Sequence, residues 1–391
     1  MRAALVRLHR WLGLATAAFL AVAGLTGSVI AFNHELDEWL NPALFEARAA
    51  GEPLSPYALA ERLEREDPLA RVTYFALEPE PGHAYVFSVA GRLDERGAPR
   101  ELGYNQVFLD PATGEELGRR DWGAARLDRA HLIPFLYSLH YTLHLPERWG
   151  MWLMGGVALA WLLDCFVAFG LVLPMRRAYW TVKRGASAWR LNFDLHRAGG
   201  LWLWGLLLVI ALSAVYLNLQ YEVFRPALGA VMEVTPSPIE VAALRKREAG
   251  AEPKQSFSDV VERARAEARA RGWVAPYDSF YSQEFGAYGV GFGDHHAPGL
   301  GVPWMYFDDQ EGRILAWTAP GEGTRGDVFM QWLLPLHTGN IIGLPGRILV
   351  SLLGLAVAVL SVTGVVIWSR KRRARLGLRP HPEQVVIHAD Q

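Results

Sequence analysis

The chain has 391 residues, 39 Lys and Arg against 40 Asp and Glu, and a formal net charge of −1 at pH 7. No basic patch sits on a folded-looking stretch, so no nucleic-acid partner is expected. The single cysteine, Cys165, excludes disulfides, iron–sulfur clusters and thiolate zinc sites, and the absence of C-x-x-C-H means that any haem is held non-covalently.

Residues 1–34 begin with Arg2, Arg7 and Arg10 and no acid, then run uncharged from Leu12 to Phe32. About 20 apolar residues cross ~30 Å of hydrocarbon, so this is the first predicted transmembrane helix. Its apolar run is too long for a signal-peptide core and no small-x-small cleavage site follows, so it is expected to remain as an anchor. Glu35, Asp37 and Glu38 then open region 35–138, a predicted α+β module. Apolar residues at helical spacing predict a helix over Pro56–Glu66; strand-like runs follow at Arg71–Leu77 and Ala84–Ala90, and VFLDPATGEELG reads as a hairpin.

Residues 139–174 form the second predicted span. It is entered through LHYTLHLP, whose His140 and His144 share one face of a helix at this spacing. Met151–Pro174 carries one charge, Asp164. A basic link, 175–193, holds Arg176, Arg177, Lys183, Arg184 and Arg190. The third span is 194–219, uncharged over Leu201–Leu219. Region 220–335 is a second predicted α+β module, with a helix over Phe257–Arg271, strand-like runs at Val274–Tyr281 and Phe285–Phe292, and the hairpin MYFDDQEGRILAW. The fourth span, 336–369, is uncharged over Ile348–Trp368, and the tail 370–391 opens with Arg370, Lys371, Arg372, Arg373 and Arg375. Positive residues mark the cytoplasmic side. Both termini and the link are therefore expected in the cytoplasm of a bacterial inner membrane, with the two long regions in the periplasm.

The halves echo each other. LHRWLGL (8–14) matches LHRAGGL (195–201), and Leu-His precedes the second span at 139–140 and the fourth at 336–337. The fold class expected is a membrane protein of four transmembrane α-helices with two periplasmic α+β modules in a twofold parallel repeat. Parallel repeats are related by an axis along the membrane normal. That axis sets His9 opposite His196 near the cytoplasmic face and His140 opposite His337 near the periplasmic face. Two facing imidazoles suit six-coordinate haem iron; tetrahedral zinc wants carboxylates or thiols that do not cluster here. The competing reading of each histidine is a polar cap or interfacial side chain. His34 and His144 break the symmetry, with Tyr221 and roughly Ile341 as counterparts; each is a candidate axial ligand, orienting neighbour or substrate contact. Arg10 and Arg197 are candidates for haem propionates, or simple positive-inside markers. Asp164, expected near mid-membrane, is a candidate for holding a proton or a polar partner between helices, or is a protonated, hydrogen-bonded structural residue. Asp294-His295-His296 lies in a Gly-rich loop that either meets a metal complex or is merely solvated. Gly321–Gly326 matches G-x-G-x-x-G but precedes a membrane span, not a βαβ unit, and is discarded as a nucleotide site.

LHRWLGL…GLTG, ELDEWLNP, LHYTLHLP, LHRAGGL and LPLHTGNIIGLPGR together resemble the PepSY-associated transmembrane helix family over nearly the whole chain. Within it the chain looks most like bacterial inner-membrane ferric-siderophore reductases of the ferrioxamine type. The resemblance implies PepSY-like periplasmic modules and haem b, here two: an inner one on His9 and His196, an outer one on His337 with His140 or His144. It implies a periplasmic ferric siderophore as electron acceptor. Only a short basic tail follows Trp368 where some relatives carry a flavoprotein domain, so the donor is expected to be a separate cytoplasmic or quinone reductant. Two rival expectations are a haem membrane reductase for another periplasmic acceptor, and a non-enzymatic anchored protein that binds peptides or regulates a protease.

Overall fold

The computed structural model describes residues 1–173, 175–183, 185, 187–243 and 251–377. Pro174 at the end of the expected second span, Arg184 of the basic link, and the tail from residue 378 lie outside the described residues. In chain order, the elements that position the site begin with helices α1 (Arg2–Ile30), α2 (Asn33–Leu40) and α3 (Pro56–Glu66). Strands β1 (Ala70–Ala76), β2 (Tyr85–Gly91), β3 (Gln106–Leu109) and β4 (Glu116–Arg120) follow, then α4 (Leu132–Thr142) and α5 (Glu147–Leu171). Next come α6 (Ala188–Trp202), α7 (Trp204–Asn218) and α8 (Phe257–Arg271). The chain continues with β5 (Pro276–Ser282), β6 (Ala287–Phe292), β7 (Trp304–Asp308), β8 (Ile314–Thr318), α9 (Arg325–Thr338) and α10 (Leu344–Arg375).

Helices α1, α5 and α10 are long and apolar enough to cross a membrane; α6 and α7, bent by 70° where they meet, make a fourth crossing if they act as one span. The expected spans start and stop differently from the helices. α1 ends at Ile30, and His34 belongs to α2. The second span does not begin at residue 139: α4 stops at Thr142, and Leu143 and His144 both take left-handed backbone, with φ of 55° and 56°. Left-handed residues cannot continue a right-handed helix, and Pro146 disfavours helical backbone at Leu145. His140 and His144 therefore do not share a helix face. The last long helix, α10, likewise starts only at Leu344, because α9 stops at Thr338, capped by left-handed Gly339, and Gly343 also has positive φ.

The structure divides into two compact units. One comprises Met1–Leu25, Gly156–Leu212 and the residues from Leu352 onward. Leu207, Leu353 and Val357 form its buried core, with Leu20, Trp161, Leu203 and Leu360 packed around them. A side-chain carbon at Gly24 would sit 2.5 Å from the Gly354 carbonyl oxygen and 3.2 Å from the Ala358 nitrogen, so glycine lets α1 and α10 close to backbone contact. Asp194 is wholly buried and satisfied by Arg190 Nε at 3.0 Å, Arg197 Nη2 at 2.9 Å and the Lys183 N–H at 3.3 Å.

The other unit comprises Thr26–Gly155 and Ser213–Ser351 and carries an eight-stranded antiparallel sheet in the order β4-β3-β2-β1-β5-β6-β7-β8. Each half of the chain supplies a four-stranded meander. β1 and β5 join the meanders edge to edge, with Tyr74 opposite Phe280 and Phe75 opposite Ser279. The two extramembrane regions thus share one sheet. Alternation along β2 buries Tyr85, Phe87 and Val89. These residues join Leu59 and Leu63 of α3 and Val260, Val261 and Ala264 of α8 in a single core. α2 is tied to the sheet by a buried bidentate pair: Arg120 Nη2 and Nη1 donate to the Asp37 carboxylate at 2.6 and 3.0 Å. Arg120 also donates to the Ala130 carbonyl at 2.8 Å and the Gln106 side chain at 2.8 Å. Removing one partner of such a buried pair costs about 3–5 kcal/mol.

The β3–β4 turn is built on Asp110. Its carboxylate accepts the backbone N–H groups of Arg48 at 2.7 Å, Ala49 at 2.9 Å, and Ala112 and Thr113 at 3.0 Å each. Burial works against its ionisation, but these N–H groups outweigh that and bring its pKa down to about 2. A pKa below the unfolded value adds stability that is complete above the unfolded pKa and is lost as pH falls toward the folded one. Asp110→Asn should therefore lower stability at pH 7 by about 2 kcal/mol. The gap between the two proteins should narrow as pH is taken from 5 toward 2.5, followed by thermal melts of both.

Candidate functional site

In the first unit, His9 of α1 and His196 of α6 face each other with ring centroids 6.1 Å apart and planes at 47°. His9 Nδ1 lies 2.9 Å from both carboxylate oxygens of Asp164 on α5. Asp164 thus has a polar partner on another helix, one of the two roles expected for it. His196 sits in a π-helical turn, Leu195–Gly199, a local widening that recurs at functional sites. Its Nδ1 lies 3.0 Å from the Leu360 carbonyl oxygen and 3.1 Å from Thr363 Oγ1. A carbonyl oxygen only accepts, and the Thr363 hydroxyl already donates to the Val359 carbonyl at 2.7 Å. The partners therefore assign the proton of His196 to Nδ1. A carboxylate bracketing Nδ1 does the same for His9. In both rings Nε2 is left as the basic nitrogen.

In the second unit, His140 of α4 and His337 of α9 face each other at 6.3 Å between centroids, with planes at 65°. Thr26 Oγ1 lies 3.2 Å from His140 Nδ1, and Ser213 Oγ lies 2.9 Å from His337 Nδ1. Glycines clear the space beside a ring in each pair. A side-chain carbon at Gly27 would lie 2.9 Å from His140 Cε1, and one at Gly364 would lie 3.0 Å from His196 Cε1.

The separations discriminate between chemistries. Two rings hydrogen-bonded directly through their nitrogens have centroids about 5 Å apart. Two rings sharing one metal span about 6 Å, from two metal–nitrogen bonds of about 2 Å and about 1.1 Å from each nitrogen to its centroid. The observed 6.1 and 6.3 Å exclude the first case; they equal the second and also fall in the range of ordinary tilted ring contacts, roughly 4.5–7 Å. Metal-ligating imidazoles donate their other N–H to a carboxylate, a backbone carbonyl or a neighbouring oxygen, and His9 and His196 have the first two. Each pair thus offers two imidazole nitrogens, a donor set that would suit iron in a porphyrin.

The remaining sequence-derived candidates lie elsewhere. His144 Nε2 is 2.8 Å from the Phe135 carbonyl oxygen and its ring stacks on Phe135 at 4.4 Å, outside both pairs. His34 stacks on His296 at 5.0 Å and approaches Glu38 at 3.3 Å, also outside both pairs. Arg197 donates to Asp194 at 2.9 Å and to the Thr181 carbonyl at 3.1 Å, which occupies it with holding α6. Arg10 is half-buried and makes no ion pair within the described residues. Ser213, Thr363 and Gly364 were not singled out from the sequence, and Thr26 and Gly27 entered only within the motif GLTG, with no role; the available signal was small polar or glycine residues inside apolar runs.

Helices of membrane-crossing length, paired half-buried imidazoles and an antiparallel sheet packed with amphipathic helices define an integral membrane protein with an α+β sheet domain. The chain belongs to the PepSY-associated TM region family, whose model matches residues 6–371. No curated protein sequence matches it. Loss of a partner that orients a ligating histidine weakens metal binding about 10–100-fold. Were the His9–His196 pair to hold haem, Asp164→Asn, and Gly364→Val through its clash with His196, would each weaken binding of added haemin in that range. Absorbance titration of the purified variants against the unaltered protein measures the effect.

Proposed function

We propose that the chain is a transmembrane haem-binding reductase of a bacterial cytoplasmic membrane that delivers electrons to a periplasmic ferric siderophore and frees Fe(II). In this reading both termini are cytoplasmic and the two sheet-forming regions are periplasmic. The observation that carries it is the spacing of two imidazole pairs, 6.1 and 6.3 Å between centroids, with every Nδ1 engaged. Haem b bound at each pair supplies a one-electron carrier at iron. His9 and His196 hold the inner site, and His140, rather than His144, partners His337 in the outer one. Asp164 and the Leu360 carbonyl make the inner imidazoles more basic ligands and fix their orientation, while Thr26 and Ser213 fix the outer ones. Apolar helix surfaces around the rings keep water away and so tune potential.

The acceptor follows from coordination chemistry together with the resemblance to ferrioxamine-type reductases. Hydroxamate oxygens are hard donors that hold Fe(III) far better than Fe(II). One electron, supplied by a cytoplasmic or quinone reductant, turns the chelated Fe(III) into Fe(II) and loosens the chelate without breaking a covalent bond. The matching LHR and LH motifs of the two halves, and a strand order that reads alike from either edge, support a duplicated architecture.

Purified protein should contain two haems per chain by pyridine haemochrome, with a low-spin bis-imidazole spectrum. Dithionite-reduced protein should be reoxidised by a ferric hydroxamate. His9→Ala and His337→Ala should each remove about half of the haem and stop turnover. A colourless preparation that still reduces the chelate would overturn the reading, and haem loss in His144→Ala with none in His140→Ala would reassign the outer ligand.

A further inference from the structure

We propose that His34, Glu80 and His296 form a binding site for a divalent first-row transition cation on the sheet-bearing unit, flanked by Glu38 and His83. Three segments distant in sequence converge there. α2 brings His34 and Glu38, the β1–β2 turn brings Glu80 and His83, and the β6–β7 loop brings His296. One ligand atom from each of His34, Glu80 and His296 lies within 4.8 Å of the others, and the same holds for Glu38, Glu80 and His83. His34 Nε2 is 3.3 Å from Glu38 Oε1 and 3.9 Å from Glu80 Oε1, and His83 Nε2 is 3.5 Å from Glu38 Oε1. Ligand atoms bonded at about 2.1 Å to a tetrahedral ion are about 3.4 Å apart, so closing the shell takes a rotation of the stacked His34 and His296 rings toward a common point, with no change of backbone.

The surroundings hold these groups in place. His295, next to the proposed ligand, lies with Nε2 3.0 Å from the buried Asp278 carboxylate at the β1–β5 seam. The His296 N–H donates to Asp294 at 2.7 Å, and the loop is joined to the turn after α9 through Gly299 N–H to the Asn340 carbonyl at 3.2 Å. The His83 N–H donates to the Glu80 carbonyl at 2.9 Å, fixing their turn. Glu80 and the flanking Glu38 together match the charge of a divalent ion, and imidazole with carboxylate suits Zn(II), Fe(II) or Co(II) rather than Ca(II) or Mg(II). The groups are half-buried to exposed, which leaves an entry path. The site stands whether or not the helix pairs hold haem.

The test is equilibrium dialysis of the full chain in detergent against Co(II) after chelator treatment, with bound cobalt measured by elemental analysis. The unaltered protein should take up one ion that His34→Ala, His296→Ala and Glu80→Gln each weaken about tenfold or more, since a direct ligand matters at least as much as a residue behind it. Thermal melts and the Soret absorbance of the same samples should match the unaltered protein, separating loss of this site from misfolding and from loss of the helix-borne centres. Equal cobalt binding by unaltered protein and His296→Ala would overturn the proposal. Loss in His83→Ala with none in His296→Ala would move the ion to the neighbouring group and overturn it as well.

Discussion

An imidazole among apolar helices has to satisfy its polar ring edge without water, and much of this molecule is arranged around that requirement. A buried polar group left without a partner costs free energy of the order of a whole hydrogen bond or more. The helices meet the demand with short side chains and a backbone carbonyl at Nδ1: Asp164, Leu360 with Thr363, Thr26 and Ser213. Each partner fixes a ring's rotation, and with rotation fixed the two rings of each pair are held about 6 Å apart between centroids. The glycines at 27 and 364 belong to the same solution, because a ring pinned at one edge cannot swing away from an added methyl group.

The sheet-bearing unit delivers its pair through a shared local plan. In each half a meander ends, at β4 or β8, and a short helix follows whose last turn carries the histidine, His140 on α4 and His337 on α9. α9 starts from a capping box, Thr324 with Asp327, and α4 starts beside His131, whose Nδ1 lies 2.6 Å from Asp128. Anchored starts and left-handed stops give both helices defined lengths, so the residue in the final turn has a defined direction.

Much of this was legible in the chain. Pro56–Glu66 and Phe257–Arg271 read as helices because their apolar residues recur at helical spacing, and the structure places α3 and α8 over those same residues. Asp-Pro-Ala-Thr-Gly read as a turn because it lies between alternating runs, and in the structure its Asp110 collects backbone N–H groups. The pairing of His9 with His196 and of His140 with His337 followed from matching motifs. The breaks at 143–146 and 339–343 were harder, since apolar residues continue across them and hydropathy does not register backbone handedness. A leucine and a histidine in left-handed backbone carry no compositional mark, so His144 looked like a helix neighbour of His140. The serine and threonines at Nδ1 were hidden for a related reason: within an apolar run their significance depends on which helix lies opposite.

The seam between β1 and β5 has an evolutionary corollary. Because the meanders share one hydrogen-bonded ladder, with Phe75 packed against Phe87 and Phe257 from both sides of the join, neither half presents a finished surface by itself. Recombination between relatives is therefore constrained at the crossover: a chimera that takes its first half from one ancestor and its second from another inherits a functional join only where the two parental seams mesh in register and in side-chain volume.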